Sequence, residues 1–426
     1  MWSAAEPSRG SRSALTLLPA VLSLVGDRVN ALRLPRLGSA ADHTSAHPSR
    51  FWGWAVRHVT ARPLVSLLLA TALLLALAAP ALSLETGSVG FGTIPDRFAS
   101  RQGSLALERH FSAGRADPAT VVVDGTVSTT VRAATGRLTR RLAADRAYGR
   151  PRTSFYPGRK LTTVSVPFTG QANSEGAERA LRKLRDEHIR AAFRGVKGAE
   201  VLVTGETAAS LDYAELTDRW RPIIFVLVFA LSFVLLLLAF RSLVVPLKAL
   251  LLNLLSVGAA YGLLVLVFQK GVGAGLLGVT QVDSIEPWVP LFLFSVLFGL
   301  SMDYHVFLLS RIREHFEDTG DNSKAVVYGI GSTARLITGA ALIIVMVFAG
   351  LALGDLVMFQ QVGFGVAVAL LLDATIVRTV LVPASMELLG ARNWYLPSWL
   401  RWLPVIGVER APRAQGEGAP VATDVS

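Results

Sequence analysis

The chain contains no cysteine. Disulfides, thiolate metal sites and cysteine nucleophiles are therefore excluded, and cysteine usage carries no sign of redox compartment. Charge is scarce too: 17% of the 426 residues are Asp, Glu, Lys or Arg, against roughly 25% in an ordinary soluble domain. No Gly-x-x-x-x-Gly-Lys phosphate loop, His-Glu-x-x-His zinc pair or Gly-x-Ser-x-Gly elbow occurs, so nothing supports an ATP-driven pump, a metal centre or a hydrolase. The chain reads as a non-enzyme without a cofactor. What it has instead is apolar bulk: 52% hydrophobic residues and a mean hydropathy of +0.47. The formal net charge is +11. Nucleic-acid-binding domains are basic but not this apolar, whereas a membrane protein with basic cytoplasmic loops accounts for both properties.

Runs of ~20 apolar residues mark membrane spans. Six are expected: Leu64 to Leu84, Pro222 to Phe240, Ala249 to Phe268, Trp288 to Leu309, Arg335 to Leu353, and Val357 to about Val382, where Pro383 ends or kinks the helix. They group as one plus five. Arg241 and Lys248 flank the second turn, and Arg311, Arg313, Lys324 and Arg335 lie between spans four and five; the opposite short loops hold only Lys270. The basic loops face the cytoplasm, which puts both termini there, in keeping with eight arginines in residues 1–62. The expected organisation is a cytoplasmic segment at 1–62, the first helix at 63–84, an outer insert at 85–221, five helices within 222–387 and a cytoplasmic tail at 388–426.

The insert carries 22 Lys and Arg against 15 Asp and Glu; a loop this long is exempt from the positive-inside count. Strand signals at Ala119 to Val123, Leu161 to Phe168 and Glu200 to Val203 alternate with helix signals at Val131 to Ala144 and Ala177 to Ala192. Thr207 to Trp220 reads as a helix leading into span two, and Ser100 to His110 as one more helix. The pattern suggests a small α+β sheet with helices on one face. Leu15 to Val25 is apolar but too short to span, and Gly26-Asp27-Arg28 after it offers no small-x-small signal-peptidase site. Residues 36–49 read as a linker and 411–426 as a disordered tail.

The chemistry is expected inside the membrane, where each ionisable group costs roughly 2.5–3.5 kcal/mol on insertion scales and so needs a reason. Asp303 in span four and Asp373 in span six are the two carboxylates. Ser295, Gly299, Asp303 and Phe307 recur every four residues and share one helix face. Its small residues permit close approach of another helix, with Asp303 pointing into the contact. At 1.5 Å per residue Asp303 lies ~22 Å from Trp288, on the cytoplasmic side of the midplane. A carboxyl in low dielectric can load and unload a proton at physiological pH, and Tyr304 beside it can donate or relay through its hydroxyl. Asp303 is thus either a proton relay or a hydrogen-bonding tie to a neighbouring helix. Asp373 and Arg378, five residues apart, fall ~140° around an α-helix and do not face each other well; they are a second intramembrane pair in either a functional or a structural sense, with Arg378 free to snorkel. His305, ~100° from Tyr304, is either a proton carrier or a packed histidine, and Asn253 an interhelical tie. An intramembrane aspartyl protease dyad is the remote reading: Leu300 and Met302 stand where its two glycines belong, and Leu372 where its tyrosine belongs.

Gly299-Leu300-Ser301-Met302-Asp303-Tyr304-His305-Val306-Phe307-Leu308-Leu309-Ser310-Arg311-Ile312-Arg313-Glu314 closely resembles the Asp-Tyr helix of the MmpL family, within the resistance-nodulation-division (RND) transporters. Leu371 to Arg378, Asn393 to Pro397 and Gly205 to Ala209 resemble the family's second half, and Leu15 to Asn30 the tail of the first half's last span. The resemblance covers nearly the whole chain and implies a ferredoxin-like, porter-type outer domain. It also implies proton-driven export of lipids or other hydrophobic molecules across the cell membrane. Asp303 and Tyr304 would serve in the proton relay, and Phe307, with Ser295 and Gly299 of its face, in the substrate and inhibitor channel. The family carries two such halves and pairs the Asp of one with the Tyr of the other. This chain resembles a C-terminal half, so a second half, separate or as a second copy, is the implied partner. An inactive truncated remnant or a lipid-binding scaffold is the alternative.

Overall fold

The structure, a computed structural model, describes residues 57–87, 94–95, 97–110, 118–169, 174–400 and 402–403. The apolar run at Leu15 to Val25, the linker and the tail lie outside the described residues. Six helices are long and apolar enough to cross a membrane. The first is α1 (Pro63–Ala78), extended by a 3-10 turn over Ala79–Ser83; Pro63 starts it, a position where a missing N–H costs nothing. It leads to α2 (Ala99–His110) and then to a β-α-β-β-α-β unit.

That unit consists of β1 (Ala119–Gly125), α3 (Thr129–Ala144), β2 (Arg152–Tyr156), β3 (Leu161–Val166), α4 (Glu175–Lys183) and β4 (Ala199–Thr204). The sheet order is β2-β3-β1-β4, antiparallel throughout. Ser128 caps α3 by accepting from Val131 N at 3.2 Å, and Ser174 caps α4 from Ala177 N at 3.3 Å. Val131, Ala134, Leu138 and Leu142 of α3 repeat at helical spacing and are buried. Leu138 and Leu142, with Leu181 and Leu184, form one core with Val121, Val164 and Val166 of the sheet. Burial of each such leucine contributes about 1.5–3 kcal/mol. The strand at Arg152–Tyr156 was not anticipated: it is an edge strand with no fully buried side chain, between Pro151 and Pro157, so it lacks an apolar alternation.

Asp145, just after α3, ties this unit together. It accepts from Lys183 Nζ at 2.7 Å and from Ala147 N at 3.0 Å, and lies 3.3 Å from His188 Nε2. The Lys183 bond first, then the Ala147 amide, hold its carboxyl down at about 2. A carboxyl lowered by folding stabilises the fold above its unfolded pKa, and that contribution is lost as pH falls from about 3.8 through the folded value. Asp145→Asn is expected to remove this acid-dependent part of the unfolding curve, measured as melting temperature against pH.

α5 (Glu206–Phe240) belongs to both parts of the described chain. Ala208 and Leu211 sit in the core of the sheet unit, Leu236 and Phe240 in the helix bundle. The helix expected at Thr207 to Trp220 runs into span two without a break, as one helix with Pro222 inside it. α6 (Val244–Leu264), α7 (Trp288–Thr319), α8 (Asn322–Ala352) and α9 (Val357–Leu372) follow. A π-helical segment over Asp373–Leu381 then leads into α10 (Val382–Leu389). α8 starts 13 residues before Arg335, because Gly320 at φ +67° and Asp321, whose side chain accepts from Lys324 N, make a tight turn and a helix cap beyond the apolar run. The bundle is close-packed through small residues: a Cβ at Gly262 would collide with the carbonyl of Leu77 in α1, and one at Gly363 with the backbone of Phe348 and Ala352 in α8. Trp220, Trp399 and Trp402 are exposed. A parallel bridge, Thr86 to Ile285, links the strand leaving α1 to the loop before α7.

Candidate functional site

α7 carries two faces that hold the candidate residues. On one, Gly299, Asp303 and Phe307 are exposed and Ser295 is half-buried. Nothing lies within 4 Å of where a Cβ on Gly299 would be. Ser295 Oγ donates back to Leu291 O at 2.9 Å, leaving the face free of cross-helix bonds. The Arg311 guanidinium lies 5.9 Å from the Phe307 ring centroid. Asp303 has no ion pair or hydrogen bond among the described residues. The face expected to await a second helix is thus open, and no helix among the described residues covers it.

The second face, one residue round, is a buried polar cluster. Tyr304 is half-buried, with the Arg378 guanidinium 4.7 Å from its ring centroid. Arg378 Nη2 and Nε donate to Asp373 Oδ2 at 2.7 and 3.2 Å. Ser301 Oγ donates to Asp373 Oδ1 at 3.2 Å, and His305 Nδ1 lies 3.0 Å from Ser301 O. Asp373 is 3% exposed and Arg378 6%, so this pair is inside the bundle rather than snorkelling.

The expectation that Asp373 and Arg378 turn away from each other is corrected here. It assumed α-helical rotation. From Asp373 the helix is π, and i→i+5 hydrogen bonding stacks residue i+5 over residue i as an α-helix stacks i+4. Ser301 and His305 join this cluster as well. The signal was present: Ser301 and His305 are two polar residues at i, i+4 in an apolar helix, a spacing that puts both on one side. Asn253 is buried in α6. Asp303 and Tyr304 are not brought together: the carboxylate lies on the open face and the phenol ring against Arg378.

The MMPL family model matches residues 155–415. The chain belongs to the MMPL family. It is 35% identical over 418 residues to a protein of Mycolicibacterium smegmatis named mycolic acid-containing lipids exporter MmpL11, covering 93% of this chain and 42% of that protein. It is 36% identical over 410 residues to one of Mycobacterium tuberculosis named heme uptake protein MmpL11, covering 93% and 41%. It is 32% identical over 421 residues to the trehalose monomycolate exporter MmpL3 of M. smegmatis, covering 91% and 41%. The chain therefore spans about two fifths of the length of these MMPL relatives. Six apolar helices and MMPL membership make it a multi-pass membrane protein.

Proposed function

We propose that this MMPL chain is one half, of the C-terminal kind, of a proton-driven RND-type transporter that exports lipids or other hydrophobic molecules. The observation that carries this reading is the open α7 face with Asp303 at its centre. An unpartnered carboxyl facing lipid is penalised, so the face calls for a complementary half. An isologous contact with a second copy would repeat each Asp303 contact twice about the twofold axis; a separate first half would supply the same surface once. Tyr304 lies back to back with Asp303, against the Asp373–Arg378 pair. In this reading Asp303 takes its relay partner from the complementary half, while Tyr304 stands beside the buried charges of its own chain.

The printed names of the relatives concern mycolic acid-containing lipids, trehalose monomycolate and heme, which share large apolar bodies with polar ends. Such a cargo suits the apolar bundle and the basic insert, whose charge attracts anionic headgroups. The β-α-β-β-α-β order with its split strand pairing supports a ferredoxin-like, porter-type domain. We place that domain outside the cytoplasm of a cell-membrane protein whose termini are cytoplasmic, on the Lys and Arg bias of the short loops. No cofactor is needed, the proton being the coupling ion.

Because the chain has no cysteine, one introduced by Gly299→Cys reports on the open face alone. Oxidation in native membranes is expected to give a disulfide-linked dimer, or, with a cysteine placed on a co-expressed first half, a heterodimer. Monomer alone in both cases contradicts the half-transporter reading.

A further inference from the structure

We propose that His305 and Ser301 form a proton wire that ends on Asp373 and opens its pair with Arg378. His305 is 3% exposed, on the inner side of α7. Its Nδ1 is 3.0 Å from the carbonyl oxygen of Ser301, one turn earlier. A carbonyl oxygen only accepts, so Nδ1 carries the hydrogen and the bare lone pair is on Nε2. Among the described residues that buried nitrogen has no hydrogen-bond partner. An unmet polar atom in a core costs free energy and asks for an explanation. Here the explanation is an open basic site at one end of a short chain of hydrogen bonds.

The chain continues from Nδ1. Ser301 Oγ is 3.2 Å from it and donates to Asp373 Oδ1, also at 3.2 Å. Asp373 Oδ2, the other carboxylate oxygen, holds Arg378. A proton delivered by water binds the Nε2 lone pair. Nδ1 passes its hydrogen to Ser301 Oγ as that hydroxyl passes its own to Asp373 Oδ1. One N–H bond and two O–H bonds form while one N–H and one O–H break, and the extra O–H is the incoming proton. His305 ends neutral with its hydrogen on Nε2, Ser301 ends a hydroxyl, and Asp373 ends a carboxylic acid. The ion pair with Arg378 is thereby discharged, and Arg378 Nη1 already has no hydrogen-bond partner among the described residues. The guanidinium then keeps its contact with the Tyr304 ring and borders a small cavity also lined by Thr333, Thr338 and Thr379.

The charged groups facing His305 are Asp373 and Arg378 from the π segment and Lys248 from α6. Lys248 Nζ donates to Asn393 Oδ1 at 3.1 Å, so it is held away from the carboxylate by a neutral partner. Asp373 is the carboxylate among these three groups, which makes it the terminus for a proton entering at Nε2. The π turn matters here: it sets Arg378 on the same side as Asp373, so one protonation changes the charge balance of span six and α7 together.

The role of this wire rests on the proton-coupled reading above; its chemistry does not. Infrared difference spectroscopy of the full chain in lipid bilayers after a downward pH jump tests it. A protonated-carboxyl band that vanishes in Asp373→Asn is expected in the native protein. Ser301→Ala and His305→Phe are expected to slow the appearance of that band by on the order of 10²-fold. His305→Gln, which keeps a hydrogen-bonding side chain but cannot relay a proton, should behave like His305→Phe and decides the matter if the phenylalanine variant does not fold. A band that rises at the native rate in Ser301→Ala and His305→Gln overturns the wire, as does the absence of any Asp373 band in the native chain. A wire that operates in bilayers where the protein moves no proton across the membrane would leave this inference standing and remove the proposed function.

Discussion

Asp303→Asn is expected to lower proton-dependent lipid export by on the order of 10²-fold or more, with membrane insertion unchanged. Asparagine keeps the volume and much of the hydrogen bonding but does not titrate. Insertion is insensitive because Asp303 makes no contact that holds this chain together: it is exposed on α7 and free of partners among the described residues. The amide is also cheaper than the acid on a lipid-facing surface, so stability should rise slightly if it changes at all. Export in cells, compared with protein recovered from the membrane fraction, separates the two effects. Full export by the asparagine variant would take Asp303 out of the coupling path.

Arg378→Leu is expected to be the most destabilising single change in the bundle. Removing one partner of a buried, hydrogen-bonded ion pair leaves the other charge stranded and costs roughly 3–5 kcal/mol. Among the described residues Asp373 would keep the Ser301 hydroxyl at 3.2 Å, too little to hold a carboxylate that is 3% exposed. The double variant Asp373→Leu with Arg378→Leu should recover most of that loss, since apolar replacement of a whole buried pair is often neutral or stabilising. Denaturant unfolding in detergent micelles measures both. Equal destabilisation in the single and double variants would mean that the pair's geometry, rather than its charge, is what the bundle needs.

Much of this arrangement was legible in the sequence because membrane physics leaves coarse marks. Apolar runs of ~20 residues gave the six helices, and strand signals gave β1, β3 and β4. Helix ends were less legible: the apolar run of span five begins near Arg335, yet α8 starts at Asn322, because a helix continues past the lipid wherever a cap and good helix formers allow. Arg152–Tyr156 escaped because an edge strand need not alternate. The open face of α7 was readable from its four-residue spacing alone. The buried cluster was not. Its residues come from two helices, and the π segment at Asp373 has no composition that distinguishes it from an α-helix. Only the backbone shows that residue 378 returns over residue 373, and only packing shows that Ser301 reaches the same carboxylate.

The most direct measurement is proton flux in proteoliposomes holding the full chain, with its complementary half where that is a separate polypeptide, under an imposed pH gradient and with a fluorescent lipid as cargo. Proton uptake should accelerate when the lipid is present, lipid movement should stop when the gradient is collapsed, and Asp303→Asn should abolish both. Lipid movement that continues at the same rate without the gradient would contradict a proton-driven transporter.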